Sequence, residues 1–191
     1  MILGWMSKQD LKALKLIAQS VPENGTIVEV GSYMGKSAVT FAQNAPTSNI
    51  YCIDLFEEEK IVNHRYSDEL CKEHDLPLNG TYNTYKLFKE NTKDYSNIHM
   101  IRGYSPDEIQ FDDFIDLFFL DASHKNPNDV ENINYFLRFM KDKSVIAGHD
   151  YDPHRYPDVV ENVHSLELLF DTEATYYPES SIWSIGVNSE N

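Results

Sequence analysis

Acids, glycines and histidines recur in this chain directly after short apolar or β-branched runs. They are Glu29-Val30-Gly31 with Gly35, then Asp54, then Gly103-Tyr104-Ser105, then Asp121 with Ser123 and His124, then His149-Asp150. Such groups can do a limited set of things. Glycine loops bring backbone N–H groups up to an anionic or nucleotide-like ligand, and acids accept from ribose hydroxyls. Histidine moves protons near neutral pH, and paired carboxylates can hold a hard cation.

The stretch from Val28 to Ala38 carries the most information. A β-branched run (Thr26, Ile27, Val28, Val30) stops at two glycines, and behind them Lys36–Gln43 has apolar residues at helical spacing. Strand, glycine loop and helix together predict a nucleotide-containing cofactor. A dinucleotide fingerprint needs a glycine where Tyr33 stands. A phosphate loop needs four residues between its glycines; here only Ser32, Tyr33 and Met34 intervene, although Lys36-Ser37 is the right ending. The spacing suits E-x-G-x-x-x-G, in which an acid can meet the ammonium of an amino-acid moiety. Asp54 follows Gly31 by 23 residues, close to the spacing of a ribose-binding acid. Gly103-Tyr104-Ser105 is placed to pass a flat base. For Asp54, for that turn and for His124 and His149, a purely structural role stays open beside the functional one. Two rival functions also stay open: a phosphate-loop kinase or NTPase, and a cofactor-binding module without catalysis.

These residues need a scaffold, and the chain alternates helix and strand. Ser7-x-x-Asp10 is a capping box ahead of Leu11, Leu14, Ile17 and Val21 on one face. Strands are expected at 26–30, 49–54, 97–102, 115–120 and 144–148. Helices are expected at 84–95, after Asn126-Pro127 (Val130, Ile133, Phe136, Leu137, Met140 inward) and from Pro157 (Val159, Val160, Val163, Leu166, and Leu169 or Phe170 inward). A hairpin around Pro178-Glu179-Ser180 ends the chain. The stretch 57–81 has no periodicity and reads as an irregular insertion or lid. The whole, 1–191, is read as one doubly wound α/β domain, whose ligand would lie at the carboxyl ends of the strands.

Composition narrows the partners. With 16 basic and 31 acidic residues the formal charge is −15, which repels phosphate backbones and argues against nucleic acid. Cys52 and Cys71 form no C-x-x-C pair, and no run approaches the ~18 apolar residues of a membrane span. The expectation is a soluble cytoplasmic protein, with homo-oligomers allowed. Trp5, Tyr151, Tyr156 and Trp183 are candidates for the wall of an acceptor pocket.

The glycine motif, Asp54 and the terminal hairpin resemble class I S-adenosylmethionine-dependent methyltransferases. Leu120–His124 (L-D-A-S-H), Ile146–Tyr151 (I-A-G-H-D-Y) and Ser181-Ile182-Trp183 are similar to the branch of macrocin-type O-methyltransferases called methyltransferase domain 24. The resemblance runs from about Gly4 to Val187, with 57–81 unmatched. It implies a doubly wound, mostly parallel seven-stranded sheet with an antiparallel C-terminal hairpin. It also implies S-adenosylmethionine held by Glu29, Gly31, Ser32, Tyr33, Gly35, Asp54, Gly103, Tyr104, Ser105 and Asp121. The acceptor would be a hydroxyl of a sugar or related compound, with His124 and Asp150 as catalytic candidates. Several members of this branch hold a divalent ion on strand-end carboxylates, which makes Asp121, Asp150 and His149 candidate ligands for Mg²⁺. His149 stands where metal-using relatives often carry a carboxylate, and imidazole is a poor Mg²⁺ ligand.

Overall fold

The computed structural model describes residues 2–56, 62–63, 68–73 and 81–188. Helix α1 (Lys8–Ser20) starts at the expected box: Ser7 Oγ accepts from the Asp10 N–H at 3.1 Å, and Asp10 accepts from the Ser7 N–H at 2.7 Å. Strand β1 (Thr26–Val30), helix α2 (Lys36–Asn44) and strand β2 (Asn49–Asp54) form the first crossover. Strands β3 (Val62–Asn63) and β4 (Thr81–Tyr82) pair antiparallel as a separate ribbon, with helix α3 (Asp68–Glu73) between them in the chain. The expected irregular stretch 57–81 thus contains short regular elements. The rest of it, with His64 and His74, and any lid role lie outside the described residues.

Helix α4 (Thr84–Thr92), strands β5 (Ile98–Arg102) and β6 (Ile115–Leu120), helix α5 (Asn128–Leu137) and strand β7 (Met140–Gly148) follow. Helix α6 (Pro157–Phe170) and the hairpin strands β8 (Thr175–Tyr176) and β9 (Trp183–Gly186) complete the fold. The seven-stranded sheet has the order β5-β2-β1-β6-β7-β9-β8. Strands β5, β2, β1, β6 and β7 run parallel; β9 is antiparallel to β7 and β8 is antiparallel to β9.

Period-two alternation divides the core. Ile27, Ile50, Cys52, Leu117 and Phe119 face one layer with Leu14, Ile17, Phe41 and Phe88 of α1, α2 and α4. Val28, Val30, Ile53, Phe118 and Leu120 face the other with Ile133, Phe136, Val159, Val163 and Leu166 of α5 and α6. Both faces are covered, so β1 and β6 are buried at every position. Each fully buried large side chain contributes roughly 1.5–3 kcal/mol by leaving water.

Helix expectations needed two corrections, and one open choice was decided. Helix α5 begins at Asn128, one residue past Pro127, and Val130 is exposed while Asp129 and Asn132 take the buried side. Met140 belongs to β7, which also takes in Lys141-Asp142-Lys143; Lys141 Nζ meets the buried Asp116 at 2.7 Å. On α6, Leu169 is exposed and Phe170 packs against the core. In each case an apolar residue near a helix end fitted the period but lay beyond the covered stripe.

Candidate active site

The strand order reverses between β1 and β6. The chain leaves β1 toward β2 and β5, then returns to lay β6 and β7 on its other side. A crevice opens at such a switch point because the loops leave in opposite directions. Here it is a cavity of about 930 Å³, at the upper end of the volumes that take small cofactors and substrates.

Strand-end geometry builds its floor. Gly31 has φ 95°, and a Cβ there would fall 1.8 Å from the Asp121 carbonyl oxygen, so only glycine lets the ends of β1 and β6 approach this closely. Gly35 has φ 85° at the start of α2, where a side chain would press on Thr92 and Phe88 of α4. Tyr33, Phe56, His124 and Asp150 follow β1, β2, β6 and β7 with φ between 42° and 59°. Left-handed backbone at large residues is sparsely populated and costs of order 1 kcal/mol or more each. At Tyr33, His124 and Asp150 that strain stands in the wall of the cavity.

Of the ten residues expected to hold the cofactor, Gly31, Tyr33, Asp54, Gly103, Tyr104, Ser105 and Asp121 line the cavity. Glu29, Ser32 and Gly35 do not. Glu29 shares a sheet face with Ile27 and is fully buried toward α1 and α2. Burial pushes its carboxyl up to about 7, against the pull of the Ser32 and Ser37 hydroxyls and the Cys52 thiol. Asp54 accepts from the Tyr33 N–H at 2.9 Å and the Phe56 N–H at 3.0 Å, one on each oxygen. It therefore shapes the loop and still faces the cavity. The Gly103 N–H is taken by the Asp54 carbonyl and the Tyr104 N–H by Glu108. Ser105 Oγ donates to Asn132 at 2.6 Å. What this turn offers a flat ligand is chiefly the half-exposed Tyr104 ring and bare backbone.

The other end of the cavity holds two histidines and three aspartates. His124 Nε2 lies 3.1 Å from Asp121 Oδ1 and 3.1 Å from Asp150 Oδ2. His149 Nδ1 reaches the same two oxygens at 3.4 and 3.5 Å, and its Nε2 lies 3.3 Å from Asp10 Oδ2. These His149 contacts do not align as hydrogen bonds and act as charge on charge. Burial opposes a charged His149, but the Asp121 charge and the contacts with Asp10, Asp121 and Asp150 outweigh it and hold the ring well above its ordinary value. His124 is raised in the same contest, burial against Asp121 and then Asp150 and Asp129. Burial would lift Asp121 too, yet the His149 charge and the His124 contact hold it well below the usual carboxylate range.

Asp10 was legible only as half of a capping box. It is 4% exposed, accepts from Ser180 Oγ at 2.7 Å and from the Ser181 N–H at 3.2 Å, and so ties α1 to the hairpin beside His149. Its signal was available: an acid four residues before Leu14 stands on the buried stripe of α1. Asn128, Asp152, Arg155 and Glu179 also line the cavity without having been singled out. Of the four aromatic candidates, Trp5 and Tyr156 are in the wall. Trp183 is core, and Tyr151 packs on Tyr176.

The metal expectation is altered by this geometry. Among the described residues, Asp121, His124 and Asp150 are the group whose ligand atoms lie within 4.8 Å of one another; His149, the expected third ligand, instead bridges these carboxylates to Asp10. Mg²⁺ needs near-octahedral oxygen ligands, whereas the two aspartate oxygens here face two imidazoles. The residues present do not fit Mg²⁺.

Fold and cavity define a doubly wound α/β protein with two histidines and three aspartates opposite its glycine loop. A family model described as a methyltransferase domain matches residues 28–151, well over half of the chain. The chain belongs to that family, methyltransferase domain 24, and is a class I S-adenosylmethionine-dependent methyltransferase. The phosphate-loop alternative falls with this; Lys36, its would-be phosphate ligand, reaches the Gly4 carbonyl at 3.5 Å.

Among solved structures, the O-methyltransferase NovP is 12% identical with a TM-score of 0.67, over 94% of this chain and 80% of that one. Cofactor-bound Rv0187 from MTB is 17% identical with a TM-score of 0.64, over 97% and 82%. The N-methyltransferase NodS from Bradyrhizobium japonicum WM9 is 10% identical with a TM-score of 0.60, over 95% and 96%. These likenesses speak to fold, and they span methylation of oxygen and of nitrogen. No curated protein matches the sequence significantly. Among the described residues no helix is long and apolar enough to cross a membrane.

Buried Glu29 carries a pH prediction. In the unfolded chain it titrates near 4.5 and in the folded chain near about 7. Between those values the folded state holds the extra proton, so stability falls as pH rises, by on the order of 3 kcal/mol once both values are passed. Glu29→Gln is expected to flatten that slope in urea unfolding at pH 5 and pH 8. An unchanged slope would show that Glu29 is not its source.

Proposed function

We propose that this chain methylates a hydroxyl oxygen of a dissolved small molecule, a sugar or a related polyhydroxy compound, as a single domain in the cytoplasm. One observation carries the reading: a single cavity joins the Gly31 and Asp54 end to the His124 and Asp150 end. Nucleic acid and membranes have no part in it, in keeping with the charge of −15; self-association is compatible with it.

When bound, S-adenosylmethionine supplies an electrophilic methyl group on a sulfonium. The backbone of the Gly31 loop, which lines the cavity, would meet the donor's amino-acid end, with Glu29 buried behind it. Asp54, held by the Tyr33 and Phe56 N–H groups, faces the cavity and would accept from a ribose hydroxyl. Tyr104 offers a face for the base. On the acceptor side, Trp5 and Tyr156 can cover the apolar face of a sugar, while Ser7, Ser181 and Arg155 supply polar groups around it. Transfer is an in-line displacement that depends on holding donor and acceptor in register. His124 is the group positioned to accept the hydroxyl proton as the oxygen–methyl bond forms, with Asp150 and Asp121 orienting its ring.

Asp54→Ala is expected to weaken S-adenosylhomocysteine binding at least about tenfold, roughly 1.4 kcal/mol. Calorimetry reads this directly, and an unchanged affinity would refute the ribose assignment.

A further inference from the structure

In the methyltransferase branch that this chain resembles, several members place a divalent ion on the strand-end carboxylates. Here those carboxylates have other company. Asp121 Oδ1 and Asp150 Oδ2 each touch both His124 Nε2 and His149 Nδ1, at 3.1 to 3.5 Å. The four groups form a closed ring in which imidazoles and carboxylates alternate. Asp10 stands behind His149, so both ring nitrogens of His149 face oxygens that can only accept. The ring is thus held between three carboxylates. It is buried, at 6% exposure, and Asp10 is itself locked by Ser7, Ser180 and Ser181.

We propose that the His149 ring, pinned by Asp10 against Asp121 and Asp150, takes the place of the divalent cation at this site, so that the enzyme works without a bound metal. The oxygens an ion would need, Asp121 Oδ1 and Asp150 Oδ2, each already face two ring nitrogens. An oxygen-seeking ion such as Mg²⁺ would meet imidazoles on both sides of them. The inference rests on the methyltransferase reading of the cavity and says what that site uses for charge.

The test is calorimetry on the full chain with Mg²⁺, Mn²⁺ and Zn²⁺ chlorides, each with and without S-adenosylhomocysteine. The wild type is expected to show no saturable binding up to about 10 mM Mg²⁺ and none to the transition ions at one equivalent. Its S-adenosylhomocysteine affinity is expected to stay within about twofold in chelator. His149→Glu, which supplies an oxygen ligand, is expected to bind Mg²⁺ at least about tenfold more tightly than the wild type. Asp10→Asn, which unpins the ring, is a second variant, expected to gain binding of Mn²⁺ or Zn²⁺. One saturable, chelator-reversible ion per wild-type chain would overturn the proposal. So would folded forms of both variants that remain as indifferent to ions as the wild type. In either case normal binding of S-adenosylhomocysteine would leave the methyltransferase reading standing; its loss would count against that reading instead.

Discussion

Gly31→Val is expected to abolish measurable S-adenosylhomocysteine binding, a loss of at least about a hundredfold or 2.7 kcal/mol. The cause is steric. A Cβ at this position would overlap the Asp121 carbonyl oxygen at 1.8 Å and the Asp121 carbonyl carbon at 2.5 Å. The ends of β1 and β6 would have to separate, and their ladder continues through the Asp121 N–H to the Val30 carbonyl at 2.9 Å. Separation moves the Gly31 loop and Asp121, which together form the floor of the cavity. A φ of 95° adds strain for any β-branched residue. Circular dichroism and calorimetry on the same sample separate local from global damage. A folded variant with wild-type affinity would show that the donor does not lie over this loop.

His124→Ala is expected to lower kcat by about 10²–10⁴, the usual range for a lost general base, with S-adenosylhomocysteine affinity changed by less than about twofold. The asymmetry follows from position, because His124 stands at the acceptor end among Asp121, Asp150 and the Tyr156 ring. Its pKa is raised from 6.5 by the carboxylates against the effect of burial. A base must be unprotonated to act, so activity should climb as pH rises through a midpoint above 6.5. Asp150→Asn removes one stabilising charge and should move that midpoint to lower pH. A pH profile flat from 6 to 9, or equal losses in donor affinity and turnover, would contradict the assignment. The assay is transfer of labelled methyl to a panel of polyhydroxy acceptors.

Much of the fold was readable because strand positions here are apolar on both faces. Ile115–Leu120 and Asn49–Asp54 were bounded correctly, since an acid or glycine ends each apolar run. Helix ends were read less well, as Val130 and Met140 show, because periodicity does not say where coverage stops. The cavity wall was legible at strand ends, where one rule of sheet topology says ligands gather. Glu29 misled: its place before the glycine suggested contact with ligand, but sheet alternation turns it inward. The Asp10 link to His149 could not be foreseen from spacing alone, since 139 residues separate partners that only the completed sheet brings together.

The central claim is that the cavity at the β1–β6 switch point binds S-adenosylmethionine with its methyl group toward His124. A crystal structure of the chain with S-adenosylhomocysteine tests it most directly. The account predicts the amino-acid end at Gly31, ribose hydroxyls within hydrogen-bond distance of Asp54, the base beside Tyr104 and the sulfur facing His124 and Asp150. Product bound elsewhere, or bound here with its sulfur turned away from His124, would contradict it.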